Sequence, residues 1–370
     1  MTRDAQPSAD PSGAIRDHLE RLYPGRHVTS IEALKPDMGA TATAGDTGKV
    51  AGYGAPVRVV LADERGDTIE RVWRTASANE FGHDRRSDRA AEALLAFDDF
   101  PRLPDHIEAI DVGAIRANGE LVSLRDAGEL YLITTYARGS IYADDLRRIA
   151  TEGASAADVA RVDALARYLG RLHTPLVEPV AYRRAVRDLV GHGEGIYGIV
   201  DSYPPDTPAA PAARLQALEA RCAEWRWRLR GREARLTRTH GDFHPFNVVF
   251  REGTDFSLLD ASRGTRGEPA DDVTAMVTNY VLFALDVDGA WKRGLGSLWH
   301  RFWASYLAAR PDAELLEVAP PWFAWRALVV CNPRFYPHMS DRARDTLLGF
   351  AGSVLAAERL DPRRADELFP

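Results

Sequence analysis

The sequence predicts an α+β protein, with a strand-rich N-terminal lobe and a larger helical C-terminal lobe. Three observations carry this. β-prone runs separated by turns dominate the first 136 residues. After Gly139 apolar residues recur at helical spacing. One compact β-like segment, 236–260, interrupts those helices.

Residues 1–20 read as a flexible or helical extension. Residues 27–34 form a short β-prone run, followed by a loop of small residues over 38–56 that holds Gly39, Gly45, Gly48, Gly52 and Gly54. The β-branched run 57–62, the turn 64–67 and the run 68–75 read together as a hairpin. Ala90, Ala91, Leu94, Leu95 and Phe97 fall at helical spacing within 87–97. Residues 106–115, 119–124 and 130–136 read as strands, the last ended by Arg138 and Gly139. Helices are predicted over 143–150, 156–176, 182–189 and 211–229. The second is clearest, with Val159, Val162, Leu165, Ala166, Leu169 and Leu172 on one face. The Pro-rich stretch 203–211 is a loop. Beyond the β-like interruption, helices resume over 269–285, 291–307, 322–330 and 342–355. This organisation sets a lobe over 1–137, a hinge near 136–139, and a lobe over 138–370.

Composition narrows the function classes. Hydrophobic residues at 45% and charged residues at 27% exclude a mostly disordered chain. With 47 basic and 54 acidic residues the net charge is −7, so bulk charge does not favour nucleic acid or anionic membrane. The stretch 221–238 holds seven arginines with Trp225 and Trp227, but Glu224 and Glu233 break the charge. It reads as a solvated helix face, and no nucleic-acid partner is expected. Cys222 and Cys331 are too few for a disulfide framework and have no metal-ligand spacing, which suits a reducing compartment. The N-terminal residues are polar, with no signal-peptide core, and the apolar stretch 273–285 is too short to span a bilayer. A cytoplasmic protein with no membrane partner is expected.

The strongest local signal is His240-Gly241-Asp242-Phe243-His244-Pro245-Phe246-Asn247, followed by the apolar run Val248-Val249-Phe250. Asp260 comes thirteen residues after Asn247, at the end of a second β-prone run. Such a set suits phosphoryl transfer to a hydroxyl. One carboxylate orients the attacking hydroxyl and takes its proton, while an amide oxygen and a second carboxylate are hard ligands for Mg²⁺ on nucleotide phosphates.

These residues, with Gly267-Glu268-Pro269-Ala270-Asp271-Asp272, resemble the aminoglycoside phosphotransferase and choline kinase-like superfamily, relatives of the protein kinases. The resemblance implies a two-lobed protein kinase-like fold, with a small antiparallel-sheet N-lobe and a helical C-lobe that holds the catalytic loop and the acceptor site. It implies Asp242 as catalytic base, Asn247 and Asp260 as Mg²⁺ ligands, and Asp272 as a brace of the catalytic loop. The implied cofactors are ATP or GTP with Mg²⁺, bound between the lobes, and the implied partner is a small molecule bearing a hydroxyl: a sugar, amino sugar, amino alcohol or aminoglycoside.

The resemblance also assigns nucleotide contacts. Gly48, Lys49, Gly52 and Gly54 would lie in the phosphate-covering loop, and Thr135, Tyr136 and Ala137 in a hinge strand along the adenine edge. Val72 would pack on the adenine, and Glu92 would be the helix glutamate. The strand lysine that family members direct at the phosphates is missing. Arg74 stands where it is expected, and Lys49 is the alternative cation, one of only three lysines in the chain. Arginine can hold phosphate in a fork but does not replace lysine atom for atom. This departure keeps open a non-catalytic kinase-like nucleotide-binding protein. His240, Asp242 and His244 keep open a third reading, a metal-dependent hydrolase. The aromatics of 291–336 read as core, with some available to an acceptor site. No acidic run in the last eighty residues favours a polycationic antibiotic.

Overall fold

A computed structural model describes residues 12–34, 56–261, 263–357 and 359–369. Gly48, Lys49, Gly52 and Gly54 lie outside the described residues. The chain divides into two compact units, residues 1–133 and 134–370. Small antiparallel sheets and a larger helical assembly give the expected α+β class.

In the first unit, helix α1 (Ser12–Leu22) packs Ile15 and Leu19 against a three-stranded antiparallel sheet. Its strands are β1 (Arg26–Ala33), β2 (Val57–Asp63) and β3 (Thr68–Trp73), in that spatial order. Val59 and Leu61 share one face of β2 by strand alternation and are fully buried with Val28. The β2–β3 turn is closed by the Asp63 carboxylate, which accepts from the Arg65 and Asp67 amides. Helix α2 (Arg86–Asp99) starts where the Asp88 carboxylate accepts from the Arg85 amide at 2.8 Å. A short hairpin, β4 (Gly113–Ile115) with β5 (Leu121–Ser123), follows.

Two expectations are corrected here. The strands expected over 106–115 and 119–124 shrink to the three-residue β4 and β5. The run 130–136 is not a strand: Leu130, Tyr131, Leu132, Ile133 and Tyr136 are 64–87% exposed and the segment joins no ladder. β-propensity stabilises a strand only when a neighbouring strand and a packed face receive it, and no edge of the described sheets pairs with this run.

The second unit opens with β6 (Ser140–Ile141), directly before helix α3 (Tyr142–Glu152). Gly139 has φ +140°, and a Cβ there would sit 2.1 Å from the Phe250 carbonyl oxygen, so only glycine fits. Helices α4 (Ala156–Leu172), α5 (Pro179–Gly191), α6 (Ile196–Asp201) and α7 (Ala212–Leu229) follow. Helix α4 is opened by a capping box in which Ser155 and Asp158 exchange hydrogen bonds. Next come β7 (Thr237–Arg238), β8 (Val248–Phe250), β9 (Phe256–Leu258) and β10 (Arg266–Gly267). β6, β8 and β9 form one small antiparallel sheet, and β7 pairs with β10.

Helix α8 (Pro269–Leu285), a short π-helical turn (Trp291–Leu295), α9 (Gly296–Ala309), α10 (Leu315–Cys331) and α11 (Asp341–Ala356) complete the unit. Helices α8 and α10 are apolar nearly all round and buried on almost every face, as core helices are. Helix α10 starts seven residues earlier than expected and contains Pro320 and Pro321. Their missing amides cost helical hydrogen bonds; both prolines are buried, and core packing of this helix offsets the cost. Among the described residues no helix is long and apolar enough to cross a membrane.

The start of α8 is fixed by a buried ion-pair cluster. Arg235 donates to Glu268 at 2.6 and 2.9 Å and to Asp312 at 2.8 and 2.9 Å. The Tyr182 hydroxyl donates to Glu268 at 3.1 Å. Burial raises the Asp312 carboxyl, but Arg235 and Arg310 outweigh it and hold it near about 2. This cluster sets where the first turn of α8 points.

Candidate active site

The segment 237–247 leaves β7 and turns sharply at Gly241, whose φ of +84° suits glycine and whose Cβ, if present, would meet the Gly264 carbonyl oxygen at 2.8 Å. The turn is held from below by Asp272 in the first turns of α8. One carboxylate oxygen accepts the His240 amide at 2.7 Å, and the other accepts the Gly241 amide at 2.8 Å. The His173 ring lies 3.1 Å from the first oxygen, and its far nitrogen meets the Tyr306 hydroxyl at 2.6 Å. Asp272 and His173 are fully enclosed. Burial raises the Asp272 carboxyl, yet the His173 hydrogen bond and the His240 amide outweigh it and keep its pKa lowered. The neighbouring Asp271 moves the other way: burial raises it more than Arg326 and Arg263 lower it.

Phe243 is buried and stacks on Tyr168 with ring centroids 6.0 Å apart, so the residue after Asp242 is locked into the core. A 3-10 turn over Pro245–Asn247 then feeds β8. Asp242 is left at the surface of this frame, with a side chain 16% exposed.

Its carboxylate is held by two guanidinium groups. Arg263 and Arg326 donate to Oδ1 at 2.6 and 3.0 Å. Arg263 also donates to the Gly241 carbonyl oxygen, and Arg326 also to Asp271. Both guanidiniums stack on Trp325, with ring-centroid distances of 4.7 and 4.1 Å. On the other oxygen, Oδ2, His244 Nε2 lies at 3.2 Å and Asn247 Nδ2 at 3.4 Å. Burial raises the Asp242 carboxyl, but the His244 hydrogen bond and the charges of Arg326 and Arg263 outweigh it. The group is held well below the usual carboxylate range.

Asp242 and Asn247 are therefore brought together. Asn247 turns its amide nitrogen to the Asp242 carbonyl and carboxylate oxygens, at 3.1 and 3.4 Å, and its Oδ1 takes part in neither bond. The Leu259 amide donates to the Asn247 carbonyl at 2.9 Å, which sets the backbone of Asp260 next to this residue. Asp260 is exposed and has φ +29°, an uncommon left-handed conformation outside glycine. An amide oxygen and a carboxylate on adjacent hairpin positions are a hard-oxygen donor pair of the kind Mg²⁺ takes when phosphates supply further ligands. The residues present fit that ion.

Among the described residues no three His, Cys, Asp or Glu side chains gather as a metal-binding group. The His240, Asp242 and His244 cluster of the hydrolase reading does not form. The His240 ring instead accepts the Asp242 amide at 3.3 Å and packs edge-on against Phe243.

The remaining described positions lie on or just past β3, on α2 and in the segment before β6. Val72 is the penultimate residue of β3 and 59% exposed, while Arg74 lies just past the strand with its guanidinium 5.5 Å from the Phe100 ring centre. Glu92 on α2 pairs with His83 at 3.4 Å rather than with Arg74. Thr135, Tyr136 and Ala137 lie in the exposed segment before β6 and form no hinge strand.

Sequence reasoning gave Arg263 and Arg326 no role, quoted Asp271 only as part of the 267–272 motif, and placed Trp325 only among the aromatics of 291–336. Arg263 stands three residues past Asp260 inside the motif region, a usable signal. Arg326 and Trp325 sit among the aromatics of α10, where their spacing looks like core. Arg263, Trp325 and Arg326, with Asp242 and His244, line a half-open cavity of about 190 Å³, together with Glu194, Ile199, Ala275, Asn279, Val329, Val330, Phe335 and Tyr336. Burial pushes the Tyr336 hydroxyl up to about 12, so it stays protonated.

Residues 84–311, more than half of the chain, match the model of the phosphotransferase enzyme family. The chain belongs to that family. Solved structures similar to it include a glucosamine kinase (17% identity over 96% of this chain and 86% of that one, TM-score 0.40). Others are the amicoumacin kinase hAmiN in complex with AMP-PNP, Ca²⁺ and Ami (15%, 83% and 86%, 0.38) and an aminoglycoside phosphotransferase from Streptomyces rimosus (18%, 74% and 92%, 0.37). No curated protein sequence matches the chain.

Two outcomes follow from this geometry. Asp272→Ala strips a buried carboxylate from two amides and a histidine, and should lower unfolding free energy by about 3–5 kcal/mol in urea denaturation; a loss under about 1 kcal/mol would show that the loop is held elsewhere. Asp242 in the folded protein titrates below its ordinary 3.8. Its charged form is therefore stabilising above that value, and the stabilisation is lost as pH falls through the folded value. In Arg263→Gln the carboxyl should titrate about 1–3 units higher, read by carbon NMR of the Asp side chains. An unchanged titration would remove Arg263 from the account.

Proposed function

We propose that the chain is an ATP- or GTP-dependent phosphotransferase that moves the γ-phosphate to a hydroxyl of a small molecule. The observation that carries this reading is a family member's Asp242, ionised and clamped in the lining of a cavity, with Asn247 bound to it one short turn away. Asp242 receives the acceptor hydroxyl by hydrogen bond. Because its pKa is low, the carboxylate orients the hydroxyl and keeps its charge until bond formation makes the hydroxyl proton acidic. The proton then passes to Asp242 and on to solvent. This suits a loose phosphoryl-transfer transition state, in which positioning contributes more than early deprotonation.

Arg263 and Arg326 hold Oδ1 at 2.6 and 3.0 Å, whereas Oδ2 carries only the longer His244 and Asn247 contacts at 3.2 and 3.4 Å, which makes Oδ2 the oxygen offered to a hydroxyl. Asn247 and Asp260 would hold Mg²⁺, which when bound supplies charge neutralisation of the phosphates. Gly48, Lys49, Gly52, Gly54, Val72, Arg74, Glu92 and the backbone of Thr135, Tyr136 and Ala137 would serve the nucleotide. The exposed Arg74 and the Glu92–His83 pair leave the phosphate cation to be supplied on nucleotide binding. They are also the observation behind a second reading, a kinase-like protein that binds nucleotide without transferring phosphate.

Asp242→Asn tests the proposal. Phosphate transfer should fall by about 10²–10⁴, while stabilisation by saturating Mg-nucleotide, about 2.7 kcal/mol at a hundredfold excess over Kd, persists. Transfer within about tenfold of wild type would overturn the role given to Asp242. Nucleotide stabilisation without transfer to any acceptor would favour the second reading.

A further inference from the structure

Helix α10 is apolar along its buried length, with one exception. Over 318–331 the only charged residue is Arg326, and it is 6% exposed. A buried guanidinium in an apolar helix is costly unless its charge and its N–H groups are met. Here two carboxylates from different elements meet them. One terminal nitrogen donates to Asp242 Oδ1 at 3.0 Å, and the other donates to Asp271 on α8. The guanidinium carbon stands 4.1 Å from the ring centre of the preceding residue, Trp325. Among the described residues the Asp271 carboxylate has no hydrogen-bond donor besides Arg326.

Stability alone gives little reason for this arrangement. Well-packed apolar side chains of similar volume hold two helices together as well as a buried ion pair, or better. Nor is Arg326 a copy of Arg263. Arg263 contacts the same Asp242 oxygen, but its second contact is the Gly241 carbonyl oxygen, inside the loop that carries Asp242. It ties the carboxylate to its own loop. Arg326 ties the carboxylate to α8, through Asp271, and to α10, on which it stands.

The same segment forms one wall of the cavity. α10 and the turn after it supply Trp325, Val329, Val330, Phe335 and Tyr336 to the lining. The wall and the second guanidinium on Asp242 therefore belong to one element, and a carboxylate held from it keeps a fixed direction relative to that wall. Such a constraint matters for rate, because a misplacement of about 1 Å in a reacting group can cost about 10²-fold.

We infer that Arg326 is a positioning residue, which sets the direction of the Asp242 carboxylate relative to the cavity wall, and that Asp271 acts only through Arg326. The inference rests on the reading of Asp242 as the group that receives the acceptor hydroxyl. The test uses the full-length protein, Mg-ATP, and glucosamine, glucose, ethanolamine and kanamycin as acceptor probes; the probe the wild type phosphorylates best is carried through the variants. Arg326→Met leaves Asp271 buried without its partner, so it should unfold at a lower urea concentration than wild type. Adding Asp271→Asn removes the stranded charge and should restore the urea midpoint. If Arg326 served packing alone, activity would return with stability. Positioning predicts a split: in Arg326→Met/Asp271→Asn, kcat stays about 10–100-fold below wild type while KM for the probe and for Mg-ATP stays within about threefold. Should the double variant not fold, Arg326→Lys, which keeps the charge but offers one nitrogen where the guanidinium offers a fork, is judged by the same rule: lower kcat at unchanged KM supports positioning, and unchanged kcat overturns it. A kcat within about threefold of wild type in the folded double variant, or a loss carried by KM alone, would overturn the inference and leave the phosphotransferase reading standing. A wild type that hydrolyses no Mg-ATP and phosphorylates no probe would overturn that reading, and the inference with it.

Discussion

The Asp272 carboxylate is the interaction on which the site depends. Two successive backbone amides, at His240 and Gly241, can point at one carboxylate only if the chain turns between them, and Gly241 supplies the positive φ that the turn requires. A buried carboxylate without such donors would be strongly destabilising; with two amides and His173 around it, the charge is accommodated in the core. The position of that carboxylate is itself inherited. The Arg235 cluster fixes the N-terminus of α8, and α8 carries both Asp271 and Asp272. Successive residues of one helix thus reach two different jobs. Asp272 holds the loop backbone, and Asp271 holds Arg326, which in turn holds Asp242.

This relay explains the contrast between two buried acids side by side. Asp272 has donors on both oxygens and stays charged easily; Asp271 depends on arginines that it shares with Asp242, and burial dominates. Trp325 is the common ring over which both guanidinium groups sit, so the clamp on Asp242 rests on one aromatic side chain of α10. An aspartate placed this way is a fixed negative charge with one oxygen directed away from its clamp. On the proposed reading such a carboxylate would orient a hydroxyl and give little driving force for taking a proton early.

Much of this was legible in the chain. The spacing Asp242, Asn247, Asp260 and Asp272 picks out residues that the structure places on one loop, one hairpin and one helix start. Helices 269–285 and 342–355 were readable because apolar residues, an N1 proline or a capping serine mark their ends. What was not legible has a physical cause in each case. The strand expected over 130–136 had the right residues but no partner edge. The early start of α10 was hidden by Pro320 and Pro321, whose cost is met by burial that no local pattern announces. Arg326 looked like one charge in an aromatic helix; only tertiary contact shows that it bridges Asp242 and Asp271. That Glu92 lies against His83 and Arg74 against Phe100 is likewise tertiary contact that the local sequence does not announce.

The most direct measurement is amide hydrogen exchange at His240 and Gly241 in the wild-type protein and in Asp272→Asn. If the carboxylate is the clamp, both amides exchange in the wild type only at the rate set by global unfolding, and in Asp272→Asn they exchange far faster while amides of α10 keep their protection. Fast exchange at both positions in the wild type, or protection unchanged in the variant, would contradict the account.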